Sequence, residues 1–339
     1  HLLERASFFD DRGESVDVPE GGRLDVLEAQ FRAANPKTLP SSSFDRHRFG
    51  DAGLPRSPKP SRDGLAARLL VPVGAVDATV PWATAVVIPV LQGPIVGPEG
   101  RVRVASDLHR ALVAMIGQEC SPVVTGHYAE GLARPANRVA LHYLPSGAPL
   151  AAGDGTAAHL IALIPRGISG EDVDAILGGF ARIKTLRTAL GAFALGSMQL
   201  PDGHEFWAPP PTGTRREWRT DPVVIPERQG SAPTRRELLA LTAAWALGNV
   251  MRGLDGQAGD RDPARRLAWL RRRGGDVLEA ESYVTPQPAR FVHRTSRLMP
   301  VMPYVARLDL GDLVPPRAVL AIGQSRHLGG GLLVPVDRR

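Results

Sequence analysis

Cysteine is nearly absent from this 339-residue chain; Cys120 is the single one. One thiol excludes an internal disulfide framework and a cysteine-ligated zinc cluster, and it points to the reducing cytoplasm. Lysine is almost as scarce, with Lys37, Lys59 and Lys184 set against 38 arginines. Long apolar runs are missing too. The longest, Leu238 to Leu247, falls well short of the roughly 20 residues a membrane-spanning helix needs. There is no signal-peptide pattern, and the chain opens on His1, so the expectation is that the native N-terminus lies outside it. Several site chemistries lack their residues: no Gly-x-x-x-x-Gly-Lys phosphate loop, no His-Glu-x-x-His, and no Gly-x-Ser-x-Gly elbow around Ser325. The acidic residues show no two-metal spacing, and the turn at Asp154 has too few oxygens for calcium. Neither a metal nor a cofactor is expected.

What is present is positive charge of one kind. Net charge is +6, carried by guanidinium forks that grip phosphate pairwise and stack on bases. A GC-rich coding sequence explains the arginine excess by itself, so position matters more than number. The clusters fall late: Arg265, Arg266, Arg271, Arg272 and Arg273, then Arg290, Arg294 and Arg297 around His293. Trp269, among the first group, is placed to stack on an unpaired base. A solvated helix end is the plainer reading of Arg271–Arg273. Taken together, the later half looks built for a polyanion.

Periodicity gives the architecture. Leu24, Leu27 and Phe31 share a helical face, and the Pro-, Ser- and Arg-rich stretch 37–64 reads as a linker before a strand at 65–73. From residue 82 the predicted order is a strand over 82–91, a helix capped by Ser106, strands over 139–144 and 159–164, a helix capped by Ser169, and a strand over 193–200. That is β-α-β-β-α-β, the split ferredoxin-like unit. A second copy is predicted from a strand at 223–225, a helix capped by Thr234, strands over 277–284 and 304–310, and a last strand over 331–336. The fold class is therefore α+β, with tandem ferredoxin-like units divided as 1–75, 76–201 and 202–339.

Before the last strand runs Ile322-Gly323-Gln324-Ser325-Arg326-His327-Leu328-Gly329-Gly330-Gly331. Glycines allow close backbone approach and outward N–H groups, and Arg326 and His327 add cationic partners for phosphate. The same residues also read as a tight bend entering a terminal strand. For proton transfer at neutral pH, His142 is the first candidate and His127, after a Thr-Gly turn, the second. A structural histidine beside Tyr143 is the competing reading of His142, and His159 reads as a core residue.

Several stretches, in order, resemble a known family. They are Pro19-Glu20-Gly21-Gly22-Arg23-Leu24-Asp25-Val26-Leu27, Thr125-Gly126-His127, Leu141-His142-Tyr143-Leu144-Pro145, Ala162-Leu163-Ile164-Pro165-Arg166-Gly167, Trp218 ahead of Asp221-Pro222-Val223-Val224, and the terminal glycine loop. Over most of residues 15–336 they resemble the fused RAMP subunit of type I-U (I-G) CRISPR effector complexes. That resemblance implies tandem ferredoxin-like units and a metal-independent endoribonuclease that processes precursor CRISPR RNA and keeps the mature guide. It implies as partners the guide's repeat-derived handle or hairpin and the backbone and large subunits of the complex, with target DNA met only through the complex. Residues 1–75 would be a remnant of the handle-binding module and a linker. One departure stands out: Arg138 and Ala140 occupy alternate positions where relatives carry histidines. The alternative is thus a catalytically inactive subunit that caps the guide handle, and a third reading is a basic globular protein with no RNA partner.

Overall fold

Strand β4 (Trp82–Gln92) lies in the middle of a five-stranded sheet whose construction explains much of the molecule. The structure is a computed structural model describing residues 3–5, 14–19, 65–72, 80–118, 120–130, 134–151, 155–228, 231–293 and 301–339. It divides into residues 1–76 and 77–339. The first unit holds an antiparallel sheet in the order β1-β3-β2, from Leu3–Arg5 (β1), Glu14–Pro19 (β2) and Leu65–Pro72 (β3). Strands β1 and β2 were not foreseen in the sequence. The expected helix over Leu24–Phe31 and the linker over 37–64 lie outside the described residues.

The second unit opens on β4, followed by α1 (Arg101–Ile116), β5 (Ala140–Leu144), β6 (His159–Pro165), α2 (Gly170–Arg182) and the hairpin β7 (Thr185–Thr188) and β8 (Gly191–Leu195). Every pairing is antiparallel and the order is β5-β6-β4-β8-β7. Reading β8 as the fourth strand gives the order of a split βαββαβ unit, as predicted. Ser169 caps α2 through the Asp172 N–H at 3.1 Å, also as predicted. Ser106 caps nothing. It sits in the second turn of α1 and donates to the Val102 carbonyl at 2.8 Å. Helix α1 begins earlier because the 3₁₀ turn Pro98–Gly100, started by proline, runs straight into it. The strand expected over 193–200 is a hairpin instead; Gln199 leaves it to pair with Val87 on β4.

A second sheet follows in the order β10-β11-β9-β12, built from β9 (Arg215–Asp221), β10 (Asp276–Ser282), β11 (Tyr304–Asp309) and β12 (Leu332–Arg338). Helices α3 (Arg235–Met251) and α4 (Pro263–Arg272) connect β9 to β10. The order is again that of the split unit, but irregular chain over 310–331, which contains the glycine loop, replaces its second helix. Thr234 and Glu237 form the capping box that starts α3. The expected strand at Val223–Ile225 is displaced to β9. There Arg216, buried and forked onto Asp337 at 2.8 and 2.9 Å, occupies an inward position that the sequence disguises as polar.

Two cores result. One packs Leu108, Leu112, Ile176 and Phe180 of the helices on Phe193 and Leu160 of the first sheet. The other begins on that sheet's opposite face, at Val87, Ala140 and Ile161, and continues through Phe206 and Trp207 to Leu247 of α3 and Leu308 and Leu333 of the second sheet. Every residue of β5 and β6 is buried. The half of this sheet formed by β5 and β6 therefore offers no open face on which RNA bases could stack, while exposed positions such as Thr185 and Arg187 lie on the outer hairpin.

Candidate nucleic-acid interface

The glycine loop closes the seam between the two sheets. Leu141 on β5 donates its N–H to the His327 carbonyl at 3.0 Å, and Leu328 forms a parallel bridge with Leu141. Gly329 has φ +84°, and a Cβ there would stand 2.8 Å from the Arg101 carbonyl oxygen and 2.9 Å from Val102 Cα in α1. Gly331, at φ +63°, would place a Cβ 1.9 Å from the Ile322 carbonyl oxygen. Glycine is thus required for close approach, but to protein. Gly323, Gly329, Gly330 and Gly331 are all buried. The N–H groups expected to face phosphate bond inward instead: Gly330 donates to Ser325 at 3.0 Å, Gly331 to Val223 at 2.9 Å, and Leu328 to Ser325 at 2.9 Å. Of the two readings of this segment, its geometry here is that of a tight bend entering β12.

The side chains of the loop are engaged as well. Arg326 forms an ion pair with Glu227 and donates to the carbonyls of Gly323 and Ala136, each at 3.1 Å. Its side chain is 12% exposed, so a phosphate would have to displace Glu227. His327 Nε2 faces the Arg138 N–H at 3.4 Å. Burial first, then the charges of Arg326 and Arg138, hold the His327 imidazole well below its usual pKa. His142 is 1% exposed, and neither ring nitrogen has a hydrogen-bond partner of good geometry. Burial lowers its pKa to about 3, opposed only weakly by the Arg326 backbone. Here His142 is a neutral group enclosed between β5 and the glycine loop, with almost none of its ring at the surface. His159 is likewise buried.

A cationic rim surrounds the seam on the solvent side. The segment 134–139 crosses from the turn at Thr125–Gly126 to the end of α3, where Asn137 Nδ2 donates to the Val250 carbonyl at 2.8 Å. It brings Arg134 and Arg138 beside Arg252, with His127 and His293 exposed nearby. No carboxylate pairs with Arg134, Arg138 or Arg252 among the described residues. The Arg138 guanidinium lies against Gly126, and burial, together with the charges of Arg326 and Arg134, lowers its pKa. Like charges gathered at a half-buried edge form a focusing site for an anion.

One residue of this rim was not foreseen. His109, half-buried on α1, lies 2.9 Å through Nε2 from the Val124 carbonyl. A carbonyl only accepts, so Nε2 carries the proton and Nδ1 keeps a lone pair. Burial lowers the His109 pKa most; Arg138 and His127 lower it further, and the Val124 bond opposes them. His109 is thus a neutral imidazole beside His127 and a guanidinium, the combination that base catalysis requires. In the sequence it resembles any polar residue on an amphipathic helix.

The other candidates are held by local partners or lie outside the described residues. Arg271, Arg272 and Arg273 end α4 and are exposed; Arg271 pairs with Asp276 at 3.1 Å and Arg273 with Asp255 at 2.9 Å, while Arg272 donates to Gln257 at 3.4 Å. Trp269 is 1% exposed and donates to Asp255 at 2.9 Å, so it is a core residue and not a stacking platform. Arg294 and Arg297 lie outside the described residues. Among the described residues, no group of three His, Cys, Asp or Glu could hold a metal ion, and no helix is long and apolar enough to cross a membrane.

No protein-family model matches the sequence, and no curated protein resembles it closely enough to count as a relative. Solved structures do align with it. One described as "Characterization of a Cas6-related gene from Pyrococcus furiosus" matches at a TM-score of 0.40 and 11% identity, over 76% of this chain and 100% of its own. A CRISPR associated protein Cas6 matches at 0.38 and 10%, over 75% and 99%. A RAMP protein described as binding different RNA substrates matches at 0.37 and 9%, over 75% and 99%. At these scores the likeness is partial, and the tandem ferredoxin-like assignment stands on the strand orders given above.

Proposed function

We propose that this chain binds the repeat-derived part of a CRISPR RNA along the cationic rim and cuts the precursor there without a metal, as a RAMP subunit of a type I-U (I-G) effector complex. The observation that carries the reading is the convergence of His109, His127, Arg134, Arg138 and Arg252, from three separate stretches of chain, on one edge with no carboxylate pairing these arginines among the described residues. The motifs Thr125-Gly126-His127 and Leu141-His142-Tyr143-Leu144-Pro145 border that edge.

Cleavage follows from these groups. His109 Nδ1 takes the proton of the ribose 2′-hydroxyl, whose oxygen attacks the adjacent phosphorus as the bond to the 5′-oxygen breaks. His127 gives a proton to that leaving 5′-oxygen, and the products are a 2′,3′-cyclic phosphate and a 5′-hydroxyl. Arg138, with Arg134, steadies the charge on the equatorial oxygens. The glycine loop, Arg326 and His142 hold the seam that positions the rim.

A second reading keeps the binding and omits the cut: a subunit that caps the guide handle. Enclosure of His142, the histidine of the Tyr-Leu-Pro motif, favours it. Incubating the protein with repeat RNA in EDTA separates the two. A 2′,3′-cyclic product supports processing, tight binding with intact RNA supports capping, and absence of binding refutes both.

A further inference from the structure

A cavity of about 510 Å³ opens between α3 and α4, remote in the sequence from the histidine rim. Leu238, Leu241 and Pro263 give it apolar walls, Thr242 and Arg228 give it polar edges, and Trp245 contributes an indole. Four of the five tryptophans, Trp82, Trp207, Trp218 and Trp269, are at most 2% exposed; Trp245 alone reaches solvent. Its position is fixed. The buried Arg266 guanidinium lies 3.7 Å from the ring centroid and donates to the Trp245 carbonyl at 2.6 Å and to Asn249 at 2.7 Å. A second guanidinium, Arg228, lies over the ring at 4.4 Å from its centroid, donates to the Arg261 carbonyl at 3.4 Å and also lines the cavity. Among the described lining residues the carboxylate is Asp262, which caps α4: it accepts the Ala264 N–H at 2.9 Å and lies 3.8 Å from Arg265.

We propose that this cavity receives one unpaired nucleotide of bound RNA, its base against the indole and the leucine wall and its phosphate on Arg228. The volume suits a ligand of that size. An immobilised indole joined to guanidiniums is the surface on which single-stranded bases stack without sequence preference, whereas a partner protein's apolar side chain would gain nothing from Arg228. The proposal rests on the RNA-binding reading above and adds a site to it.

The test uses the full chain, a fluorescently labelled repeat RNA read by polarisation, and a 5′-phosphorylated oligoadenylate of about five nucleotides, a length within the span of a single-strand site. Oligoadenylate and saturating repeat RNA should quench the solvent-exposed tryptophan emission, and Trp245→Phe should remove that response. Trp245→Leu should lower RNA affinity about tenfold, the effect of one lost stack. Ala264→Leu, at the exposed mouth, should do the same with an unchanged melting temperature. Arg228→Ala should reduce the salt slope by about one. If polarisation reports bound RNA while tryptophan emission and the Ala264→Leu affinity stay unchanged, the nucleotide lies elsewhere and this site is refuted, with the RNA-binding reading intact. If neither signal changes, RNA is not bound and both readings fall.

Discussion

The N–H of Leu141 donates to the carbonyl of His327 at 3.0 Å, joining the edge strand of one sheet to the glycine loop that precedes the last strand of the other. A loop that looks ready to hold phosphate is in fact a structural clasp. Its glycines are needed where it meets α1, and its charges are matched within the protein. Among the described residues, the arginines beside it that are left without a carboxylate are those of the rim.

Gly329 is the sharpest point of that clasp. With φ at +84° and a Cβ-to-carbonyl distance of 2.8 Å, Gly329→Ala must both adopt a disfavoured backbone and push α1 away. A loss of about 1–3 kcal/mol is expected, read by denaturant unfolding. A variant as stable as the parent would mean the loop does not pack on α1.

His142 and His327 predict acid sensitivity. Both are neutral when folded, with pKa values below the unfolded value near 6.5, in the case of His142 about 3. The unfolded chain therefore binds more protons than the folded one below pH 6.5, so stability is full above that value. It falls as pH drops below about 6.5, and for His142 the fall continues toward pH 3 at about 1.4 kcal/mol per pH unit, with His327 adding in the same direction. His142→Leu should reduce that dependence and leave stability at pH 7 equal or higher, because the ring nitrogens it removes have no hydrogen-bond partner of good geometry. Unfolding curves at pH 7 and pH 5 check both statements, and equal pH dependence in parent and variant would contradict them.

How much of this was legible depends on how far apart the cooperating residues lie. Thr234 with Glu237 and Ser169 announce their helices because cap and helix are local. Strand β9 was missed because Arg216 points inward, and only its distant partner Asp337 explains why. Helix α1 was started late because Ser106 resembles a cap, while the 3₁₀ turn that initiates the helix carries no such signal. His109 needed the fold itself: the carbonyl that fixes its tautomer belongs to Val124, and its neighbour Arg138 comes from a third stretch. The arginine run at 271–273 was conspicuous in sequence, yet its members pair locally around the end of α4.

The rim and the clasp make opposite predictions for arginine variants. Arg134→Ala and Arg252→Ala, at exposed positions with no carboxylate pair among the described residues, should weaken RNA binding and each lower the salt slope by about one, with little change in stability. Arg326→Ala should leave the slope unchanged and destabilise the fold, since it removes the guanidinium paired with Glu227 at the seam and leaves Asn249 as that carboxylate's remaining partner. Polarisation titrations at several salt concentrations distinguish the two groups; a fall in slope for Arg326→Ala alone would return the phosphate contact to the loop.

The most direct measurement compares single-turnover cleavage of repeat RNA in EDTA by the parent, His109→Gln, His127→Ala and His142→Leu. Glutamine at 109 can still donate to the Val124 carbonyl, so folding is preserved while the base is lost. Cleavage should fall by roughly 10²- to 10⁴-fold for the first two variants and persist in the third. Parental rates for His109→Gln and His127→Ala, or loss of cleavage in a stably folded His142→Leu, would contradict the assignment of chemistry to the rim.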